Sequence, residues 1–461
     1  MKSKAVFTRF CILQGAYWAF QAAMVGYYTA YVISCGMAPS TWGLIMSANL
    51  LCSFLGSIFW GRWVDRRQAG KQFFLLGNVS AAVLGCALFF LADCLPAVAV
   101  LYPLFGFMAG CIPTILDAWV IASFPERKDA AGRARSCATL SYAVIMLVTG
   151  QLIARLGYSV MPLATVLFLS ISIGTALLQP EYRNVSGQNK SIPAAQPKKL
   201  LSSKRFVLLV LSLFFAGMAI APINSMKAVV LERVGGDVTI LGWDSFIGCI
   251  IQAQFLIFSR YLLKIKAEKR LLLGMVTPLL YALMVAVAQN PAMVIAGTVM
   301  NNISFGVLYP TMREMTEQNV NPALRNTAHS VVDVAYGSLS GMIATSWSGV
   351  ILEQAGANVL GISSAAIQLI AIGCCLWIFL AGKRKPNQSE IYCSASMKNI
   401  RRNHHEKARK QGCDHYRREF RHRTCHGLRV GRRRMQSRTG CPTRGTPQGS
   451  QSQLRKARRA R

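Results

Sequence analysis

Gly61-Arg62-Trp63-Val64-Asp65-Arg66-Arg67-Gln68-Ala69-Gly70-Lys71 is a charged stretch set between two apolar runs, residues 42–61 and 72–92. A bilayer core about 30 Å thick takes about 20 apolar residues per crossing helix, which is the length of each run. The stretch therefore reads as a short turn between two membrane spans. Its glycines permit a tight turn, and Asp65 is placed to meet a neighbouring helix N-terminus or an arginine.

Working outward with the same template gives twelve apolar segments, at residues 10–34, 42–61, 72–92, 97–123, 136–155, 159–179, 205–231, 240–260, 271–288, 291–311, 326–350 and 358–381. The ten-residue strict alternation of a membrane β-barrel is absent. The leading segment is too long for a signal-peptide core. Charge supports the count. The chain is 53% hydrophobic and yet carries +33, because the two properties belong to different regions. Up to Gly382 there are 27 basic and 14 acidic residues; from Lys383 onward there are 24 and 4. With the N-terminus inside, the inner connections before the tail hold 3, 4, 4, 6, 5 and 2 lysines or arginines, and the outer ones only Arg155 and Arg233. That bias is the positive-inside pattern for an even number of spans with both termini cytoplasmic, as in a bacterial-type inner membrane.

Of fourteen cysteines, ten lie in or beside apolar segments, where a thiol packs as a small hydrophobe. No zinc-type pairing of CxxC motifs occurs before the tail, so no metal site is expected. Neither a nucleophile–base pair nor a cofactor motif stands out, which argues against an enzyme.

The loop quoted above carries a resemblance to the major facilitator superfamily, whose signature between helices 2 and 3 is G-x-x-x-D-R-x-G-R/K. Gly61, Asp65, Arg66, Gly70 and Lys71 fill it, with one extra residue before Gly70. The resemblance implies an all-α membrane protein with twelve transmembrane helices in two pseudo-symmetric six-helix bundles. A faint internal echo agrees: Gly61 to Gly77 ends Lys-Gln-Phe-Phe-Leu-Leu-Gly, and Ser259 to Gly274 ends Glu-Lys-Arg-Leu-Leu-Leu-Gly, without the aspartate. The domains expected are an N-terminal bundle at 1–180, a flexible cytoplasmic linker at 181–203, a C-terminal bundle at 204–382 and a basic tail at 383–461.

A carboxylate inside a span needs a partner, since an unpaired charge in the bilayer costs roughly 2 kcal/mol or more. Asp117 sits near the end of the fourth segment, and Arg135 returns to the same level at the start of the fifth. Tyr142, seven residues on, shares a helical face with Arg135. Carboxylate, guanidinium and ring together suit hydroxyl groups and a stacked sugar face; a structural ion pair is the other reading. Here the chain resembles the oligosaccharide:proton symporters typified by lactose permease. That family holds its sugar with a helix 4 acid and the second arginine of a G-R-A-R segment 18 positions on, and stacks it on a tryptophan seven positions further. Asp117, Arg135 and Tyr142 stand at those spacings, with aspartate for glutamate and tyrosine for tryptophan. Asp244, 16 residues before Arg260, matches the family's helix 8 sugar-binding acid, or is a solvated residue at the outer end of its helix.

The family's proton-coupling arginine, histidine and glutamate fall on Tyr281, Met300 and Ile303, none of which serves that role. Candidates in their place are Asp244, the Lys227 and Asp333 charges in the seventh and eleventh segments, which the family links as a pair, and His329, which shares a helical face with Asp333 as a proton relay. A hydrogen-bonded structural histidine is the alternative for His329. The Asn301-Asn302 pair suits substrate hydroxyls, and the first segment, with Gln14, Trp18, Gln21 and Tyr27, is a cavity candidate. The tail has too little aliphatic content to bury a core and reads as disordered; lipid attraction, nonspecific nucleic-acid binding and an out-of-frame extension are its readings, the last preferred.

The function expected is secondary active transport, proton-coupled uptake of a sugar or oligosaccharide by alternating access. The energy source is a proton gradient and no bound cofactor; the partners are a small-molecule sugar and the lipid bilayer, with no specific nucleic acid, and the unit is a monomer. Nucleoside transport, amphiphile or drug efflux, and a nontransporting membrane sensor are the alternatives.

Overall fold

The computed structural model describes residues 2–67, 69–124, 130–180, 203–262, 264–320 and 324–383. The linker expected at 181–203 and the tail from Lys383 thus fall almost wholly outside the described residues. Capping chemistry marks where helices begin. Ser203 accepts a hydrogen bond from the Phe206 N–H (3.4 Å), Asp237 from the Ile240 N–H (2.9 Å) and Asn290 from the Met293 N–H (3.1 Å). Each satisfies a donor that the first helical turn leaves orphaned, and Pro291 follows Asn290 at the position where a missing N–H is harmless.

In chain order the helices are α1 (Lys2–Phe20), a π-helical turn (Gln21–Val25), α2 (Gly26–Ser34), α3 (Pro39–Arg67), α4 (Gly70–Phe90), α5 (Leu95–Ala109), α6 (Ile112–Ser123), α7 (Ala130–Leu156) and α8 (Val160–Leu177). After the linker come α9 (Lys204–Ser225), α10 (Lys227–Arg233), α11 (Val238–Leu262), α12 (Ala267–Ala286), α13 (Pro291–Asn319), α14 (Arg325–Asp333), a second π-helical turn (Val334–Leu339) and α15 (Ser340–Lys383). No strand occurs among the described residues.

Ten stretches are long and apolar enough to cross a membrane, where the sequence reading expects twelve. The difference arises at two places. The last stretch, Thr327–Ile378, is 52 residues long and is broken at Gly356, whose φ of +87° no other residue adopts without strain. At about 1.5 Å per residue it is far longer than one crossing, and the break divides it in two. The leading stretch, Lys2–Ser34, which contains the π-helical turn, is not among the ten.

The motif turn is shorter than the sequence reading expects. Gly61 lies inside α3, which runs on to Arg67, and a β-carbon there would meet nothing within 4 Å, so it makes neither the turn nor a close approach. Gly70 opens α4, and the Lys71 ammonium donates to the Leu177 and Gln179 carbonyls at 3.0 and 2.9 Å, tying this end of the bundle to α8. Arg66 is exposed, and the Asp65 side chain lies outside what is described.

The first eight helices meet the later ones along α3–α15, α7–α11 and α2–α10. They close tightly at the end where α3 begins. A β-carbon on Gly349 would stand 1.9 Å from the Pro39 carbonyl oxygen, so only glycine lets the backbones approach there. The Ser47 hydroxyl donates to the Met342 carbonyl (2.6 Å) and the Ser40 N–H to Glu353 (2.9 Å).

Candidate functional site

Between the two sets of helices lies a cavity of about 430 Å³, within the range of small-ligand sites. Its wall is polar: Gln21 and Thr29 from the first span, Asn224 and Ser225 from α9, Ser245 from α11, and Thr298, Asn301 and Asn302 from α13. Trp18, Tyr102 and Tyr142 supply aromatic surface. The π-helical turn puts Gln21 and Val25 on this wall, and such one-turn π insertions recur at functional sites.

The structure brings Asp117 and Arg135 together, Oδ2 to guanidinium at 3.3 Å, with side chains 43% and 45% exposed. The other carboxylate oxygen accepts from the Gln14 amide at 2.8 Å. The guanidinium lies over the Trp18 ring, 4.5 Å from its centre, and Trp18 meets Tyr142 edge-on at 6.2 Å. Helix geometry explains the cluster. Asp117 stands six residues before the end of α6 and Arg135 five residues into α7, so the short connection returns the chain to the same depth. Trp18 and Tyr142, rather than the ion pair itself, line the cavity.

Asp244 departs from the solvated position considered for it. It is 0% exposed and pairs with the Lys227 ammonium at 3.0 Å. Lys227 also reaches the Thr298 hydroxyl (3.2 Å) and lies 5.8 Å from the Tyr281 ring centre, while the Tyr281 hydroxyl donates to Asn224 at 3.1 Å. The approach of Lys227 is an ion pair without good hydrogen-bond geometry, and among the described residues neither Asp244 oxygen accepts a hydrogen bond.

Two expected pairings are not formed. Lys227 is bound to Asp244 instead of Asp333, which is held by Arg313 at 2.9 and 2.8 Å. The Arg313 guanidinium stacks 5.2 Å from the Tyr309 ring centre. His329 does not engage Asp333 either; its Nε2 stands 3.6 Å from Glu317, on the end of α13, and its Nδ1 has no hydrogen-bond partner among the described residues. The physical reason is the same in both cases. A nearer counter-charge on α13 or α11 takes each group, and spacing within one helix does not reveal charges on another.

Sequence reading also missed Arg313, Asn224 and Thr298, and it took Arg270 for a loop charge. Arg270 is 2% exposed, bonded to Glu314 and, at 3.0 Å, to the Ile265 carbonyl. The signal available was positional: Arg313 stands six residues before the end of α13, as Asp117 does before the end of α6, and its partner is again an opposite charge in the next span. The two halves carry equivalent ion pairs with acid and base exchanged.

A bundle of membrane-crossing helices built around a polar central cavity, shut at one end, is the build of a secondary transporter. The chain belongs to the MFS_1 like family, whose profile matches residues 11–360, and is a multi-pass membrane transporter rather than an enzyme. It is 24% identical over 355 residues to the maltose permease of Geobacillus stearothermophilus, covering 74% of this chain and 86% of the permease. Among solved structures it resembles the nucleoside transporter NupG (TM-score 0.69, 14% identity, 82% of this chain and 99% of the other). A D-xylose-proton symporter is also similar (TM-score 0.61, 14% identity, 81% and 96% covered). These two structural likenesses bear on the fold alone.

Proposed function

We propose that this protein takes up a sugar or oligosaccharide together with protons by alternating access, from a bacterial-type inner membrane with both termini in the cytoplasm. The observation that carries the reading is the Asp117–Arg135 pair. It is braced by Gln14, stacked on Trp18 and connected through Tyr142 to a cavity whose wall is rich in hydroxyls and amides. Sugar hydroxyls are donors and acceptors at once, and a carboxylate beside a guanidinium offers both complements. The half-exposure of the pair leaves both groups accessible to cargo. The similarity to a maltose permease supports a sugar as the cargo.

In this reading the closed end faces outside, the Asp117–Arg135 end faces the cytoplasm, and rocking of the halves exposes the cavity alternately. Asp244, whose one counter-charge among the described residues is Lys227, is the carboxylate best placed to take the coupled proton. The test is uptake by the full chain in liposomes, with maltose and xylose offered with and without an inward proton gradient. Uptake rises with the gradient, and Asp117→Asn and Arg135→Ala each weaken cargo binding about 10- to 100-fold, as loss of a hydrogen bond to a charged group does. Native-rate transport by both variants would remove the site, and indifference to the gradient would remove the coupling.

A further inference from the structure

The central cavity displays a cation and hides its counter-ion. Among the described residues lining it, Lys227 alone carries a formal charge, its side chain 15% exposed, while Asp244 stands behind it fully buried. Lys227 is the first residue after the break at Met226 between α9 and α10, so a kink presents its ammonium to the cavity. The other titratable groups facing the pair are Tyr142 from α7, Tyr281 from α12 and Cys249 on α11 itself. None of them is an acid or an amine that could replace either partner.

Among the described residues Asp244 meets a single ammonium, and no hydrogen-bond donor reaches its carboxylate. A buried carboxylate so poorly solvated is relieved by protonation. Protonation, however, leaves Lys227 uncompensated at the cavity wall, and an unpaired buried charge is strongly unfavourable. An anion arriving through the cavity cancels that charge.

Building on the proton-coupled sugar reading above, we propose that the cargo is a sugar acid, a carbohydrate bearing one carboxylate, which replaces Asp244 on Lys227 as Asp244 takes up the proton. The balance closes. Before binding, ammonium and aspartate sum to zero; after binding, ammonium, protonated aspartate and cargo carboxylate again sum to zero. One proton enters with each anion, neither moves alone, and no net charge crosses the membrane. A neutral sugar with a proton would carry one positive charge across instead. A phosphorylated sugar is the poorer fit, since a dianion leaves an excess negative charge beside one lysine.

The experiment uses the full chain in liposomes with maltobionate and glucuronate as probes and maltose and glucose as their neutral counterparts. Uptake is driven by a pH gradient alone, or by a potential alone set with potassium and valinomycin. The acids are taken up in preference to the neutral sugars by about tenfold or more, respond to the pH gradient and ignore the potential. Lys227→Gln removes the preference, Lys227→Arg retains it, and Asp244→Asn exchanges the acids across the membrane without dependence on pH. Potential-driven uptake of maltose that the acids do not inhibit overturns this inference and leaves the sugar reading standing. Movement of neither sugars nor acids overturns both. Should Lys227→Gln fail to reach the membrane, the response of the unaltered protein to the two gradients still decides.

Discussion

Asp117 and Asp244 are both carboxylates inside spans, and their surroundings assign them different work. Asp117 is half-exposed and already shares its charge with an arginine and an amide, so a ligand hydroxyl can join it without first breaking a buried contact. Asp244 is sealed behind Lys227 and has no such freedom. The same contrast predicts stability. Arg313→Ala removes a pair whose members are 31% and 44% exposed, and surface-like pairs contribute no more than about 1 kcal/mol. Arg270→Ala removes a buried guanidinium bonded to Glu314 and a backbone carbonyl, and its loss is about 1–3 kcal/mol. Thermal unfolding in detergent should therefore show a clear drop for Arg270→Ala and almost none for Arg313→Ala; equal drops would contradict this account. Trp18→Ala removes the surface on which Arg135 lies and should weaken cargo binding as Arg135→Ala does. Binding titration checks it.

At the scale of elements, the decisive contact is between α3 and α15 at the closed end. A side chain on Gly349 meets the Pro39 carbonyl, which cannot swing aside as a flexible side chain would. Gly349→Leu should hold the two halves apart at that end. The readout is maleimide reaction of a cysteine placed at Thr29, on the cavity wall, by a reagent supplied from the closed side in a background without native cysteines. Labelling rises if the closure depends on that glycine and is unchanged if it does not. Gly356→Ala acts differently, forcing a side chain onto φ +87° and ψ 175°, a conformation essentially confined to glycine that costs about 1–3 kcal/mol. It should lower the unfolding midpoint without changing which end is open. The two π-helical turns were invisible in the sequence, because an extra residue per turn leaves composition and apolar run length untouched.

For the whole molecule, composition separates an apolar body from a basic tail, and truncation after Gly382 should leave uptake unchanged at equal membrane abundance; a loss would show that the tail contributes. Apolar run length and loop charge made the membrane class, most of the span boundaries and the Asp117–Arg135 pairing legible from residue order alone. Those properties are local: a run of about 20 residues either fills the bilayer or does not, and a short connection returns the chain to the same depth. The second set of charges was not legible. Lys227, Asp244, Asp333 and His329 could each be picked out as out of place in a span or beside one, but their partners lie on other helices, and Arg313 was not picked out at all. Which opposite charge is nearest follows from how helices pack and rotate about their axes, and that is decided by side-chain fit and by the few places where glycine lets backbones touch. The sequence by itself determined a multi-span transporter with charge placed in its interior. Only the tertiary structure decided that the cavity shows an ammonium and conceals the carboxylate, because exposure is a property of the packed surface and not of the residue.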